Sequence, residues 1–405
     1  MKVVIFSDAY PLRNAETFLH NELLMMAPLA EKIYVVPQSK GMQYFDLPAN
    51  AVVIPFNPEG GDTRIRTLVQ NHGLKLLGIM FSEIFHSPHR WKYIRHFKQH
   101  FFLLLGYLRE LGTLKGFLDE QHKAGAVFYS YWMNEWATRL SLYRLCYKPT
   151  FKYITRIHAY DFDEAQMGGG YHPFRFFDMK NAARIISISQ YGYRYVSQQF
   201  PRFSSKINVS CLGIRDKGIN PLPANNATIT IVSCSGMVAL KRVHLIPEIL
   251  KHFNGAVHWV HFGDGPENEK IKAAAALLPP HITCDFKGMV SNDTINAYYA
   301  STPVSVFINV SHLEGIPVAL MEAASFGIPL VGCNICGVPE IVNAQTGVLL
   351  DENFDAATAA ASIKQIITLP AAELETFRRG VKQFWHDNFN AETNYRNFFN
   401  QYLNN

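Results

Sequence analysis

The amino-acid sequence predicts an α/β protein made of two Rossmann-like domains, each built on a parallel sheet. Short apolar, β-branched runs alternate with amphipathic stretches through the first half: VVIF (3–6), IYVV (33–36), AVFY (126–129), KYITRI (152–157) and RIISIS (184–189). Strands that read as near-continuous apolar runs, separated by helical patterns, belong to parallel sheets covered on both faces. The pattern breaks at NPLPANN (220–226), a Pro and Asn cluster with linker chemistry, and restarts with TITIVSC, VHWVHFG, ITCDF, VSVFI and IPLVG. At 405 residues the chain is also too long for one core, and such chains divide into units of roughly 150 to 200 residues.

These signals set the expected boundaries. Residues 1–220 form an N-terminal Rossmann-like domain carrying a basic, aromatic helical insert at 58–123, and residues 227–380 form the second domain. Phe377, Phe384, Trp385, Phe389, Tyr395, Phe398 and Tyr402 recur at helical spacing, so 381–405 is expected as C-terminal helix crossing back onto the N-terminal domain. Two such domains facing each other across a cleft would bind ligands at the carboxyl ends of their strands.

Composition narrows the class. Hydrophobic residues make up 48% and charged residues 18%, which suits a chain that buries a core and excludes a disordered one. A net charge of +5 is small for this length and gives no reason to expect nucleic acid as a partner. Cys146, Cys211, Cys234, Cys284, Cys333 and Cys336 are too sparse for a disulfide scaffold, and the start MKVVIFSDAY lacks secretory features, so a cytoplasmic location is expected. LKLLGIMF (74–81) and FFLLLGYL (101–108) fall short of the roughly 18 to 20 residues that span a bilayer, so membrane contact would be peripheral. CNIC (333–336) has zinc-knuckle spacing without a second pair to close a tetrahedron, and no metal is expected there.

The densest chemistry lies in VSVFINVSHLEGIPVALMEAASFGIPLVG, which reads strand, loop, helix, strand. Glu314 falls in the loop before Gly315, and a helix opening near Pro317 brings free N–H groups to a positive helix end suited to a diphosphate. Glu322, inside that helix, offers two acceptor oxygens to a vicinal diol such as a ribose.

SxxEGxPxxxxEAxxxGxPxVG resembles the E-x7-E signature of the retaining glycosyltransferase family 4, whose fold is the two-domain GT-B architecture. The resemblance implies that Glu314 lies beside the donor sugar, that Glu322 grips the nucleotide ribose, that the stretch Gly315, Ile316, Pro317, Val318 meets the phosphates, and that Ser311 belongs to the donor-binding residues. SCSGMVALKRVHLI is similar to the family's strand, loop and lysine segment, which makes Lys241 a phosphate cation and Arg242 a second one, with Gly236 where many members carry arginine. FGDGP and FKGMV look like family turns lining the nucleotide pocket through Gly263, Gly288, Met289 and Val290, and Glu340 takes a structural role.

In the first half, RIHAYDFDEA resembles the family's HxxD turn, which places His158 near the reacting carbon and makes Asp161 the residue that steadies the loop. Asp161, Phe162 and Asp163 also spell DxD, a metal motif of a different glycosyltransferase class. SDAYPLRNAETFLHNE resembles the family's first loop, with Asn14, Glu16 and Thr17 on the acceptor side. The form PLxxxETFxxNE is similar to enzymes of exopolysaccharide, capsule and colanic-acid assembly. From Arg64 to Lys98 there are seven basic residues and one acid, Glu83, interleaved with Leu77, Ile79, Phe81, Phe85, Trp91, Tyr93 and Phe97. That mixture fits either an interfacial surface against anionic lipid or a helical insert with core aromatics and solvated charges.

The expected function is therefore a retaining, metal-independent glycosyltransferase with His158, Glu314 and Lys241 at its centre. It would use a nucleotide diphosphate sugar, a UDP-sugar foremost, without a cofactor. The acceptor would be a glycan or lipid-linked oligosaccharide at the inner face of the plasma membrane. A sugar-nucleotide epimerase of similar build and a non-catalytic sugar-nucleotide-binding subunit are the alternatives.

Overall fold

A computed structural model of the chain describes residues 1–13, 16–60, 64–162, 170–223 and 228–404. Two compact units emerge: Met1–Leu212 together with the segment from Tyr395 onward, and Gly213–Asn394. Residues 224–226 of the expected linker, with the residue that follows, lie outside the described residues.

Among the described residues the first unit holds seven parallel strands: β1 (Lys2–Ser7), β2 (Lys32–Pro37), β3 (Ala51–Val53), β4 (Val127–Ser130), β5 (Tyr153–Ile157), β6 (Arg184–Ser187) and β7 (Ile207–Val209). Their order is β3-β2-β1-β4-β5-β6-β7, with Val3 of β1 level with Ile33 on one side and Val127 on the other. Its helices are α1 (Thr17–Met26), α2 (Ile65–His86), α3 (Arg90–Arg95), α4 (Phe97–Lys123), α5 (Glu135–Cys146), α6 (Ala159–Phe162), α7 (Arg175–Asn181) and α8 (Gln190–Gln199). Period-2 alternation divides β1 between two cores. Val4 and Phe6 pack with the inner faces of α2, α4 and α5, whereas Val3 and Ile5 pack with Leu19, Leu23 and Met26 of α1 and with Phe398, Phe399, Tyr402 and Leu403. The last residues thus close the α1 face of the sheet. Arg156 and Glu22 are buried there as an ion pair at 3.3 Å, and the guanidinium lies 4.3 Å from the Phe398 ring centroid, which offsets part of its desolvation.

Helices α2 to α4 carry the chain from edge strand β3 to β4. They split the aromatic residues of the insert between both sequence-based readings: Ile79 and Tyr93 are core, Leu77 and Phe97 are half-buried, and Phe81, Phe85 and Trp91 are exposed. Among the described residues no helix is long and apolar enough to cross a membrane.

Among the described residues the second unit has six parallel strands: β8 (Ile229–Cys234), β9 (Val257–Phe262), β10 (Ile282–Phe286), β11 (Val306–Asn309), β12 (Leu330–Cys333) and β13 (Gly347–Leu350), in the order β10-β9-β8-β11-β12-β13. Helices α9 (Leu245–Leu250), α10 (Asn268–Ala276), α11 (Asn292–Ser301), α12 (Val318–Ser325), α13 (Ala356–Ile367) and α14 (Ala371–Phe389) belong to it, and α15 (Ala391–Phe398) begins in it and ends in the first unit. Buried Arg378 of α14 fastens the unit's entry segment by donating to Val304 O (2.8 Å) and Asn220 Oδ1 (2.6 Å). In both sheets the strand order reverses once, between β1 and β4 and between β8 and β11, and such switch points open a crevice at the carboxyl ends.

Glu83 shows how the insert is anchored. From α2 its Oε1 accepts from Phe177 N (2.7 Å) in the first turn of α7, satisfying a helix-end donor. Burial pushes this carboxyl up from 4.5 to about 7. The folded chain therefore holds a proton between those values that the unfolded chain releases, and stability falls as pH rises through that window. Glu83→Gln keeps the acceptor without the charge, so at about pH 8 it should be more stable than the parent by a few kcal/mol. Near pH 4.5 it should gain little. Denaturant unfolding at both pH values checks this, and an equal difference at each would contradict it.

Candidate functional site

The β8/β11 switch point gathers most of the second-half candidates. After β8 the chain runs through Ser235 and Gly236 to a short 3-10 turn, Ala239–Lys241, and after β11 it runs through Ser311 to Glu314 and into α12. Lys241 Nζ donates to Glu314 Oε1, which also accepts from Ser311 Oγ (2.8 Å) and Asn309 Nδ2 (3.5 Å). Asn309 Oδ1 in turn accepts from Ser311 N (3.1 Å). One carboxylate oxygen thus joins the two loops that flank the crevice. Pro317 caps α12 and brings no N–H, so the donors of that stretch are Gly315, Ile316 and Val318.

Glu322 lies inside α12 and is half-buried. Burial pushes it up to about 7, and Asn292 Nδ2 donates to its Oε1 at 2.6 Å. On the far side of β8, Gly263 N donates to Gly288 O (2.9 Å) and joins the turns after β9 and β10. Gly263 has φ +135°, and a Cβ there would come within 1.9 Å of Ser235 O, so this position requires glycine. Gly288 has φ +65° with open space around it, Met289 is exposed and Val290 half-buried. At Gly236 a Cβ would meet only Asp264 O at 3.8 Å, so this surface position leaves room for a side chain.

Arg242 departs from expectation. Its Nε donates to Val310 O (2.8 Å), Nη1 to Glu352 O (2.9 Å), and Nη2 to Ser311 O (3.3 Å) and to Cys333 Sγ (3.4 Å). These acceptors fix the guanidinium as a strut beneath the β11 loop rather than as a cation offered to a phosphate. Cys333 is buried beside it, so the CNIC segment contributes packing at the end of β12.

In the first unit, His158 follows β5 and is buried, its ring centroid 4.2 Å from Trp132 and 4.9 Å from Tyr131. Burial lowers its pKa, with Asp161 opposing, and Nε2 has no partner. Asp161 accepts from His158 N (2.8 Å) and Met133 N (3.1 Å), which engages both of its oxygens with backbone and leaves the DxD metal reading without one ligand. Asp163 and Asn14 lie outside the described residues. Glu16 is a second correction: its carboxylate accepts from Ala9 N and Tyr10 N (2.7 Å each), Asp8 N (3.2 Å) and Trp132 Nε1 (2.6 Å), so it locks its own loop and does not face an acceptor. Thr17 opens α1 and is exposed.

Sequence reasoning missed a cavity of about 320 Å³ at the β1/β4 switch point, whose lining includes Asp8, Asn134, Glu135, Tyr160, His172 and Phe174. Asn134 Nδ2 donates to Asp8 Oδ1 (2.6 Å), while burial and the nearby Glu16 carboxylate push Asp8 up to about 7. Its place one residue beyond β1 is the signal that could have found it, as the same rule found His158 beyond β5.

Comparison with known proteins bears on this geometry. Residues 215–383 match the family model described as glycosyl transferases group 1. The chain is 26% identical over 252 residues to a colanic acid biosynthesis glycosyltransferase, WcaL, of Escherichia coli, covering 60% of this chain and 61% of that one. It is 26% identical over 172 residues to the amylovoran biosynthesis glycosyltransferase AmsK of Erwinia amylovora, covering 40% and 42%. The chain thus spans less than two thirds of these relatives' lengths. Among solved structures, HepE of Anabaena in complex with UDP shares the fold with a TM-score of 0.66 at 14% identity over 99% of each chain. The two Rossmann-like sheets are those of the GT-B fold.

If Arg242 is a strut, Arg242→Ala should lower the second unit's stability by about 2–4 kcal/mol, because several carbonyls lose a charged donor. Arg242→Lys should not rescue it, since an ammonium cannot span these acceptors as the planar fork does. Urea denaturation reads both. A lysine variant as stable as the parent would contradict the assignment.

Proposed function

We propose that the chain, residues 215–383 of which match the glycosyl transferases group 1 family, transfers a sugar from a nucleoside diphosphate donor to a growing cell-surface polysaccharide at the cytoplasmic face of the membrane. The observation that carries this reading is the shared Glu314 oxygen, which holds Lys241 and the approach to α12 together at the β8/β11 crevice. Lys241 and the N–H groups of Gly315, Ile316 and Val318 suit a diphosphate, and Glu322 suits a ribose diol. A UDP-sugar is the donor favoured, in keeping with the UDP and UDP-glucose bound by HepE. The names of the colanic acid and amylovoran relatives support a glycan or lipid-linked glycan acceptor.

On this reading Lys241 exchanges its bond to Glu314 for the donor diphosphate and offsets charge developing on the leaving group. Pre-organised electrostatics of this kind dominates such transfers. No metal is needed for that role, and the acceptor hydroxyl attacks from the face the diphosphate leaves, a phosphate oxygen taking its proton and the anomeric configuration being retained. His158, kept neutral by burial, offers its unpartnered Nε2 as an acceptor to a sugar hydroxyl. The Asp8 cavity, with carboxylate, amide and aromatic lining, suits a sugar residue of the acceptor.

Activity should survive EDTA, and Lys241→Ala should lower turnover by about 100-fold or more while the fold persists. UDP release assayed with and without a glycan acceptor separates a transferase from an epimerase or a non-catalytic subunit, and NMR of the product reads its anomeric configuration. Loss of activity in EDTA with rescue by Mn²⁺, an inverted product, or full activity in the Lys241 variant would each overturn the part of the mechanism it addresses.

A further inference from the structure

We propose that the outer face of α2 and α3 is a docking surface for an anionic lipid bilayer. In α2, Leu74, Phe81 and Phe85 are 87%, 52% and 77% exposed. At 100° per residue their spacings of seven and four set them within about 40° of one another on the helix. Leu68, Leu76 and Ile79 fall on the opposite side and are core. An outward stripe of one leucine and two phenylalanines gains nothing from water, and it continues into α3 with Trp91 (70% exposed) and Ile94 (48%). Contiguous exposed apolar surface of this kind marks an interaction site.

Charge decides which partner. Of the seven basic residues and one acid between Arg64 and Lys98, the acid Glu83 is turned inward onto α7. Two of the cations are also engaged with the body of the unit: Lys75 donates to Leu145 O (3.0 Å) and Lys92 to Gly170 O (2.9 Å). The other exposed charges of this segment are Arg64, Arg66, Arg90, Arg95 and Lys98, so that, with exposed Lys75, all of its exposed charges are positive. Arg90 lies 5.5 Å from the Trp91 ring centroid. An apolar stripe with an indole at its edge, bordered by long cations of one sign, matches acyl chains beneath anionic headgroups, where tryptophan settles and arginine snorkels.

The surface is also tied to the cavity of the same unit. Tyr93 of α3 accepts at its hydroxyl from Phe174 N (2.6 Å), and Phe174 and His172 line the cavity holding Asp8. Docking through α2 and α3 would therefore brace one wall of that cavity at the membrane, which suits an acceptor carried on a lipid.

Sedimentation with vesicles tests this without any turnover assay, so its outcome is independent of the glycosyltransferase reading. The parent should bind phosphatidylcholine vesicles containing phosphatidylglycerol far better than phosphatidylcholine alone, and less as salt rises. The charge-reversed variant Arg90→Glu, Arg95→Glu, Lys98→Glu and the variant Phe81→Ser, Phe85→Ser, Trp91→Ala should each weaken binding by about tenfold or more. All six side chains are exposed, and an unchanged melting temperature verifies that the variants fold. A parent that ignores anionic vesicles, or a Phe81, Phe85, Trp91 variant that binds as the parent does, would overturn the proposal. A lipid-free dimer that this variant dissolves would replace the bilayer with a second copy of the chain.

Discussion

Glu314 Oε1 accepts hydrogen bonds from Lys241, Ser311 and Asn309, and the ligand end of the second unit depends on that convergence. The three donors come from the loops after β8 and β11, which the strand order sets on either side of the switch point. Without a common acceptor, a lysine and a mobile loop would face each other across a crevice and each would take a range of positions. The side chains of Lys241 and Glu314 are 24% and 12% exposed, so the pair is held more firmly than a surface ion pair yet stays open to exchange with a ligand. Arg242 supports the arrangement from below by bonding Val310 O and Ser311 O, so adjacent cations in one turn have opposite duties.

The first unit solves a similar problem with a different anion. Its β1 loop turns three N–H groups inward, and the Glu16 carboxylate fills them while accepting from Trp132 Nε1. Trp132 packs against His158 with the rings tilted, and His158 is bonded to Asp161, so loops following β1, β4 and β5 form one connected layer at the carboxyl end of the sheet. Glu16 adopts φ 54°, a strained conformation for a residue with a side chain, and four accepted bonds outweigh it. Beside this layer the Asp8 cavity opens at the β1/β4 reversal, which makes the two units equivalent in plan.

Much of this was legible in the sequence where the chemistry is local. Glu314 and Glu322 are eight residues apart in one loop and helix, and β-branched runs mark the strands that carry them. Arg242 could not be read in this way, because its acceptors stand as many as 110 residues away and a basic residue beside Lys241 looks the same in either role. Glu16 escapes a sequence reading for a related reason, since its Trp132 partner is 116 residues distant. The insert is the clearest case. Its apolar residues occur on every side of α2, so periodicity alone does not say which of them meet the core, and only packing against α4 and α7 separates Ile79 from Phe81.

The most direct test of the account is a crystal structure of the protein with uridine diphosphate. The diphosphate should lie within hydrogen-bonding reach of Lys241 Nζ and the N–H groups of Gly315, Ile316 and Val318, with both ribose hydroxyls on Glu322. Density for the nucleotide at another place, or a diphosphate held at the β8/β11 crevice with the Lys241–Glu314 pair intact and the ribose away from Glu322, would contradict it.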